Sequence, residues 1–235
     1  MRAPISIVIP TLNAAAELGP CLAALTEGLQ AGLIRELIVS DGGSGDGTLA
    51  LAEAAGAVVV SGAPGRGAQV ARGVAAAGGA WLLILHADTR LAPGWSAAVS
   101  AHLAGPSAGD LGRAGWFRLR FRGGGVPGRI VAGWANLRAR LGLPYGDQGL
   151  LVPAALLARV GGYPALPLME DVAVARLLRG QMAPLASVAE TSAARYLAEG
   201  WLRRGARNLW LLARYLAGAD PARLAREYGV KRGRP

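Results

Sequence analysis

The chain has 235 residues, a formal net charge of +10 and a mean hydropathy of +0.33. This length is enough for one large domain with a buried core, and no apolar run approaches the roughly 20 residues that a membrane-spanning helix requires. Cys21 is the single cysteine, which excludes an internal disulfide and a cluster of thiolate metal ligands. A reducing compartment is therefore expected.

The positive charge is concentrated in two stretches. All 25 basic residues except Lys231 are arginines. Residues 113–140 contain seven arginines and no acid, and residues 195–235 contain ten basic and three acidic residues. This pattern favours an anionic partner: a phosphate-bearing substrate, nucleic acid or the inner face of a membrane. A general preference for arginine in the genome would produce part of the same pattern.

The first half of the sequence alternates between strand and helix signals. The run ISIVI, residues 5–9, predicts a strand rather than a signal peptide, because Pro10 and Asn13 interrupt it and no cleavage site follows. Further strands are predicted at 37–39, 58–60 and 81–85. Helices are predicted at about 15–31, 46–55 with Asp46 as the cap, and 67–77. This order is typical of a parallel sheet with helices on both faces.

The pattern changes from Gly105 onward. Residues 116–122 alternate as a strand does, with Arg118, Arg120 and Arg122 on one face. A helix over about 127–141 follows, then the loop LPYGDQG, a strand at 150–152, a helix to residue 160 and a helix starting near Met169. We therefore divide the chain into residues 1–104, residues 105–190 of the same domain, and a basic helical extension at 191–235.

Polar residues follow each predicted strand of the first half. Because the carboxyl ends of parallel strands lie at one edge of a sheet, these residues are expected to converge on a ligand site. They are Thr11 and Asn13, Asp41, Arg66, and His86 with Asp88. The carboxylate of Asp88 suits a hard divalent cation, and His86 suits manganese better than magnesium. In the alternative interpretation, His86 is only a hydrogen-bonding residue.

Three further segments have both a functional and a structural interpretation. In VSDGGSGDGT, Asp41 would bind a base or ribose, or would be a turn residue. This segment is not a dinucleotide fingerprint, because its glycines follow the second strand and Asp46 would repel a pyrophosphate. Glu170 and Asp171 supply a general base, or only stabilise a helix N-terminus. The segment 146–149 shapes an acceptor site or is a plain turn.

The ordered set SIVIPTLN, ELIVSDGGSGDGT, GRGAQVARGVAAAGGAWLLILHADT, GDQGLLV, GGYP and ED resembles the family 2 glycosyltransferases of the GT-A fold. It is most similar to a bacterial branch whose fourth strand ends in LHADT. The resemblance covers about residues 5–180. It implies an α/β fold with a mainly parallel central sheet flanked by helices, here with a C-terminal helical extension. Residues 1–104 would bind the nucleotide sugar, and residues 105–190 the acceptor.

The resemblance also implies an activity and a set of site residues. The reaction would be inverting transfer of a sugar from a nucleoside-diphosphate sugar, with UDP favoured, to a hydroxyl acceptor, assisted by Mn²⁺ or Mg²⁺. Asp171, supported by Glu170, would be the catalytic base. Asp88 would bind the metal with His86, which replaces the first aspartate of the usual DxD motif. The nucleotide site would comprise Pro10, Thr11, Asn13, Glu17, Asp41, Arg66 and Gln69. The acceptor site would comprise Asp147 and Gln148.

Two competing functions differ from this one in what they require. A dinucleotide-dependent oxidoreductase would need a phosphate loop after the first strand, where no glycine occurs before Gly19. A non-catalytic nucleotide-sugar or membrane-surface binding protein would be expected to have lost the Glu170–Asp171 pair, which this chain retains.

The arginine-rich tail leaves three interpretations open. Its apolar side packs on the domain and leaves the arginines solvated, or it lies on an anionic membrane with Trp201 and Trp210 as anchors. Nucleic acid is the least favoured partner, because no recognition motif accompanies the charge. A cytoplasmic protein is expected, and the membrane interpretation adds peripheral contact with the inner face and a lipid-linked acceptor.

Overall fold

The computed structural model describes residues 3–105 and 112–230. Residues 106–111, within the predicted second segment, and residues 231–235, at the end of the predicted extension, lie outside the described residues. The strands are β1 (Ile5–Thr11), β2 (Ile34–Asp41), β3 (Val58–Ser61), β4 (Trp81–Ile84), β5 (Thr89–Leu91), β6 (Ala114–Arg122), β7 (Leu150–Pro153) and β8 (Met182–Ser192).

The helices lie between and after these strands. In the first half they are α1 (Ala15–Gln30), α2 (Thr48–Ala54), α3 (Arg66–Ala76) and α4 (Trp95–Ala104). In the second half they are α5 (Gly125–Arg140), α6 (Ala154–Arg159), α7 (Glu170–Leu177), α8 (Ala194–Glu199), α9 (Trp201–Leu216) and α10 (Pro221–Val230). A single 3₁₀ turn, Gly146–Gln148, precedes β7 among the described residues.

The eight strands form one sheet in the order β3-β2-β1-β4-β7-β6-β8-β5. Strands β1 to β4 run parallel, whereas β7 is antiparallel to both β4 and β6. Strand β6 therefore points the same way as β4, and β8 is parallel to β6. As a consequence, the carboxyl ends of β1, β2, β4, β6 and β8 all reach the same edge of the sheet.

The core is built on both faces of this sheet. Along β1, Ile5, Ile7 and Ile9 belong to one apolar cluster and Val8 to the cluster on the opposite face. This alternation follows from the two-residue period of a strand. Cys21 lies in the first cluster, where burial raises the pKa of its thiol to about 12.

Every helix and strand predicted from the sequence is present, with bounds shifted by at most three residues. The α/β class and the mainly parallel sheet are confirmed. Helix α2 starts one residue after its Gly47 cap, so Asp46 precedes the cap and accepts a hydrogen bond from the Thr48 amide. Elements β5, α4 and β8 were not predicted from the sequence, and α8 and α10 were predicted only as part of a helical extension without bounds. Strand β8 also runs two residues past the expected boundary at residue 190.

The C-terminal helices pack on the domain by a small apolar cluster. Leu211 and Leu212 of α9 and Leu224 of α10 contact Met169 and Val172. Arg204 is buried and paired with Glu199, which corrects the expectation that the arginines of this segment are all solvated. Within residues 3–105 and 112–230, no helix is both long and apolar enough to cross a membrane.

The packing of α3 gives a test of the fold. A Cβ atom on Gly67 would collide with backbone atoms of Leu166 and Pro164, in the loop that leads into α7. We expect Gly67→Ala to lower the melting temperature by several degrees, because backbone atoms cannot move aside cheaply.

Gly133→Ala is the matched control, since a Cβ atom on Gly133 in α5 meets nothing within 4 Å. That change should stabilise the protein by about 0.5–1 kcal/mol through helix propensity. Calorimetric melting of both variants checks the pair. Equal stability of Gly67→Ala and the wild type would contradict the packing described here.

Candidate functional site

A cleft of about 150 Å³ opens at the sheet edge where the strands end. It is lined by residues from both halves of the chain. From the first half come Arg66, His86 and Asp88, and from the second half Asp147, Asp171, Thr191, Ser192 and Arg195. The structure therefore brings the predicted metal ligands, the predicted base and one predicted acceptor residue into one cavity.

His86 and Asp88 follow β4 directly and both face the cleft. The Asp88 carboxylate receives no hydrogen bond and forms no ion pair within the described residues, although its backbone oxygen accepts from Arg122. Burial and the nearby Arg66 guanidinium lower the pKa of His86 to about 4, so its ring is neutral near pH 7.

This pair has the chemistry of a partial metal site. A free carboxylate and a neutral imidazole are ligands that Mn²⁺ accepts. No group of three or more His, Cys, Asp or Glu side chains suited to a metal occurs in residues 3–105 and 112–230. Two protein ligands fit a cation whose other positions are filled by phosphate oxygens and water, as is usual at nucleotide sites.

Asp171 is held in place at the first turn of α7. Its Oδ2 atom accepts a hydrogen bond of 2.9 Å from the Gly146 amide, and its Oδ1 atom one of 2.8 Å from Val172. A Cβ atom on Gly146 would lie 2.5 Å from His86 Nε2 and 3.5 Å from Asp171 Oδ2. Glycine at this position therefore lets the imidazole and the carboxylate approach the same point.

Glu170 is 1% exposed and pairs with Arg66, which comes from α3. Burial raises the pKa of Glu170, and the Arg66 guanidinium opposes this shift. The same guanidinium lies 3.9 Å from Asp171 Oδ2. Met169, the residue before this pair, has a φ of +62°, which is costly for a side chain of its size. The entry into α7 is thus held in a strained backbone conformation next to the predicted base.

The two predicted acceptor residues are placed differently. Asp147 lines the cleft and its buried Oδ1 atom has no hydrogen-bond partner. Burial raises the pKa of Asp147 to about 6, against the lowering effect of Arg138. Gln148 is fully buried, and its amide bonds to the backbone of Phe117 and Tyr145. Its side chain supports the turn instead of lining the cleft.

Most of the predicted nucleotide residues form a second group, at the ends of β1 and β2. Asp41 is buried and accepts hydrogen bonds from the Thr11 hydroxyl, at 2.9 Å, and from the Gly43 and Ser44 amides. These donors lower the pKa of Asp41 against the opposing effect of burial. Asn13, at a φ of +50°, bonds to the backbone of Gly45. Pro10 is buried within β1.

Gln69 holds the ends of β1 and β2 together, and Glu17 connects α1 to the cleft. Gln69 is buried and donates to the backbone oxygens of Thr11 and Ser40, at 2.6 and 3.0 Å. Glu17 pairs with Arg122 at 3.0 Å, and Arg122 in turn donates to the backbone oxygen of Asp88. The strand ends and the cleft are therefore neighbouring parts of one edge.

Arg195 and Tyr196 of α8 also line the cleft and were not among the site residues predicted from the sequence. Arg195 is exposed, forms no ion pair within the described residues and lowers the pKa of His86. It follows β8, which the sequence pattern did not reveal because its residues are mostly Ala, Ser and Pro. Arg66, the cation expected in the site, is already paired with carboxylates, so Arg195 supplies the unpaired positive charge.

Residues 6–114 match the family model described as glycosyl transferase family 2. The match supports a family 2 glycosyltransferase. The matched segment includes His86 and Asp88, whereas Asp147 and Asp171 lie beyond it. No curated protein sequence matches the chain.

Solved structures of glucosyl-3-phosphoglycerate synthase from Mycobacterium tuberculosis are similar to this protein. The complex with Mn²⁺, UDP-glucose and phosphoglyceric acid is 26% identical, with a TM-score of 0.55 over 80% of this chain and 70% of that chain. The complex with Mg²⁺ and UDP is 25% identical, with a TM-score of 0.54 over 80% and 69%. The complex with phosphoglyceric acid is 27% identical, with a TM-score of 0.53 over 80% and 70%. The fold is thus of the GT-A type.

The Arg66–Glu170 pair gives a pH-dependent prediction. Arg66→Met leaves the Glu170 carboxylate buried without a counter-charge, so its pKa rises further. A carboxyl group whose pKa is raised by folding lowers stability only above the pKa it has in the unfolded chain. The cost then grows with pH until the pH reaches the pKa of the folded protein. We expect a loss of about 3 kcal/mol at pH 8 and a much smaller loss near pH 5, measured by urea unfolding.

Two further variants control this experiment. Arg176→Met makes the same change at an exposed position of α7 and should alter stability by less than about 0.5 kcal/mol. Adding Glu170→Gln to Arg66→Met should remove the pH dependence. An equal loss of stability at pH 5 and pH 8 would show that Arg66 does not stabilise the protein through its ion pair with Glu170.

Proposed function

We propose that this protein is an inverting glycosyltransferase that moves a sugar from a UDP-sugar to a hydroxyl acceptor. The observation that supports it most is the meeting of Asp171, Asp88 and His86 in one cleft. The family match and the similarity to structures that contain UDP or UDP-glucose support the same reaction class. The predicted nucleotide residues at the ends of β1 and β2 are the proposed site of the base and ribose.

Asp171 is the proposed catalytic base. An inverting transfer requires a carboxylate that takes the acceptor proton while the oxygen attacks the anomeric carbon opposite the leaving diphosphate. The two backbone hydrogen bonds to Asp171 fix its orientation and leave lone pairs free to receive a proton. Glu170 cannot take this role while it is buried against Arg66, so we assign it to positioning.

The leaving diphosphate requires positive charge. Arg195 is proposed to bind its oxygens, since this guanidinium faces the cleft and has no carboxylate partner within the described residues. Asp88 and His86 would hold the divalent cation that neutralises the diphosphate when it is bound. Structures of the similar synthase contain Mn²⁺ or Mg²⁺, which supports this assignment.

Asp147 is proposed to bind the acceptor hydroxyl, because this residue lines the cleft and its Oδ1 atom has no hydrogen-bond partner. Gln148 would contribute by fixing the turn that carries Asp147. We further propose that the protein is cytoplasmic and makes peripheral contact with the anionic inner face of the membrane.

The base assignment is tested by Asp171→Asn. We expect sugar transfer from radiolabelled UDP-sugars to a lipid and glycan extract to fall by about a thousandfold, because an amide cannot accept the proton. UDP binding, measured by calorimetry, should stay within a few fold of the wild type, since Asp171 acts on the acceptor side.

Asp220→Asn is the matched control. Asp220 caps α10 away from the cleft, and asparagine caps a helix equally well, so this variant should keep full activity. Transfer by Asp171→Asn at the wild-type rate would overturn the assignment.

A further inference from the structure

An apolar groove of about 370 Å³ lies between α5, α9 and β6. Its walls are aliphatic and aromatic side chains, with few polar groups. They include Leu119, Phe121, Ile130, Trp134, Trp201, Leu202 and Leu209. A groove of this composition suits a hydrocarbon chain better than a sugar or a nucleotide, because it offers few hydrogen-bond partners.

The groove runs into the cleft that contains the proposed base. Within the described residues, the two cavities share five lining residues, which are Phe121, Tyr145, Asp147, Tyr196 and Asn208. The Asp147 carboxylate, with its unpartnered Oδ1 atom, therefore lies at the junction of the two. A molecule with its apolar part in the groove would place a polar head at Asp147, beside Asp171.

The outer surface around the groove is unusually apolar. Helix α5 and the residue that caps its end expose large apolar side chains at helical spacing, namely Val126, Ile130, Trp134, Leu137 and Leu141. Helix α9 exposes Leu202, which is 90% exposed, together with Leu209, Trp210 and Leu216. Exposed apolar side chains grouped in this way mark a binding surface on most proteins.

Exposed arginines flank this surface. Arg129 and Arg140 are on α5, and Arg203 is on α9. None of the three forms an ion pair within the part of the chain that the structure describes. Apolar and tryptophan side chains bordered by arginine complement the interface of an anionic bilayer, where the charges meet phosphate head groups.

We propose that the groove between α5 and α9 binds the hydrocarbon chain of a lipid acceptor, taken from an anionic membrane, whose hydroxyl-bearing head reaches Asp147. This inference deepens the proposed function and rests on it. The membrane surface positions the protein, and the groove selects an acceptor with an apolar chain.

Membrane contact is tested by sedimentation of the full chain with phosphatidylcholine vesicles, with and without phosphatidylglycerol. We expect sedimentation only with the anionic vesicles. The double variant Ile130→Asn with Leu202→Asn should bind at least about tenfold more weakly, because both changed side chains are exposed apolar contacts. Leu29→Asn, at an exposed site on α1, is the matched control and should bind as the wild type does.

Occupation of the groove needs a second measurement. Gly205 lines the groove and a Cβ atom there meets nothing within 4 Å, so Gly205→Leu narrows the groove without disturbing α9. In a background of Trp134→Phe and Trp210→Phe, the other tryptophans, Trp81, Trp95 and Trp116, do not line the groove, so vesicles with brominated acyl chains should quench only the Trp201 part of the emission. Gly205→Leu should abolish this quenching and leave sedimentation unchanged. Gly133→Leu, on the exposed side of α5, should preserve both.

Three outcomes would overturn the inference. The first is sedimentation that is the same with and without phosphatidylglycerol, or that is unchanged in the double variant. The second is quenching of Trp201 that Gly205→Leu does not reduce. The third is a dimer in analytical ultracentrifugation that the double variant dissociates, which would assign the surface to a second copy. UDP binding is also measured without lipid, because the proposed nucleotide site does not include the groove. A protein that binds UDP but gives one of these three outcomes contradicts the inference and not the proposed function.

Discussion

A carboxylate that is almost wholly removed from water requires a counter-charge, and Glu170 obtains one from Arg66, a residue 104 positions earlier in the chain. This ion pair joins α3 to the first turn of α7. It also fixes the position of Asp171, which follows Glu170 directly. Gly67, next to Arg66, allows the loop before α7 to pack on α3 at close distance. The ion pair between the two halves of the chain and the backbone hydrogen bonds to Asp171 together position the proposed base.

The arrangement of the strands explains why the site forms where it does. Because β7 is antiparallel to both β4 and β6, strands β6 and β8 run in the same direction as β4. Residues from five strand ends therefore meet at one edge. The ends of β1 and β2, the His86–Asp88 pair and the helix that carries Asp171 are neighbours along this edge. The apolar groove lies beside the same edge, between α5 and α9.

Much of this organisation could be predicted from the sequence, because regular alternation reveals strands and strand ends reveal candidate ligands. His86 and Asp88 follow a predicted strand, whereas Asp171 was proposed from its position at a helix N-terminus and from the family resemblance. The structure brings all three into one cleft. Contacts between distant residues could not be predicted. The side-chain amides of Gln69 and Gln148 donate hydrogen bonds to backbone oxygens about 30 residues away in the chain. Arg195 follows β8, a strand of mostly small residues whose apolar side chains show no regular alternation.

If Asp88 and a divalent cation bind the diphosphate as proposed, nucleotide binding requires both the cation and this carboxylate. Calorimetric titration of the protein with UDP, with and without Mn²⁺, measures this dependence. We expect binding that requires Mn²⁺ and that Asp88→Ala weakens by at least about tenfold, as for loss of a metal ligand. Absence of UDP binding, or binding that neither Mn²⁺ nor Asp88→Ala affects, would contradict this proposal.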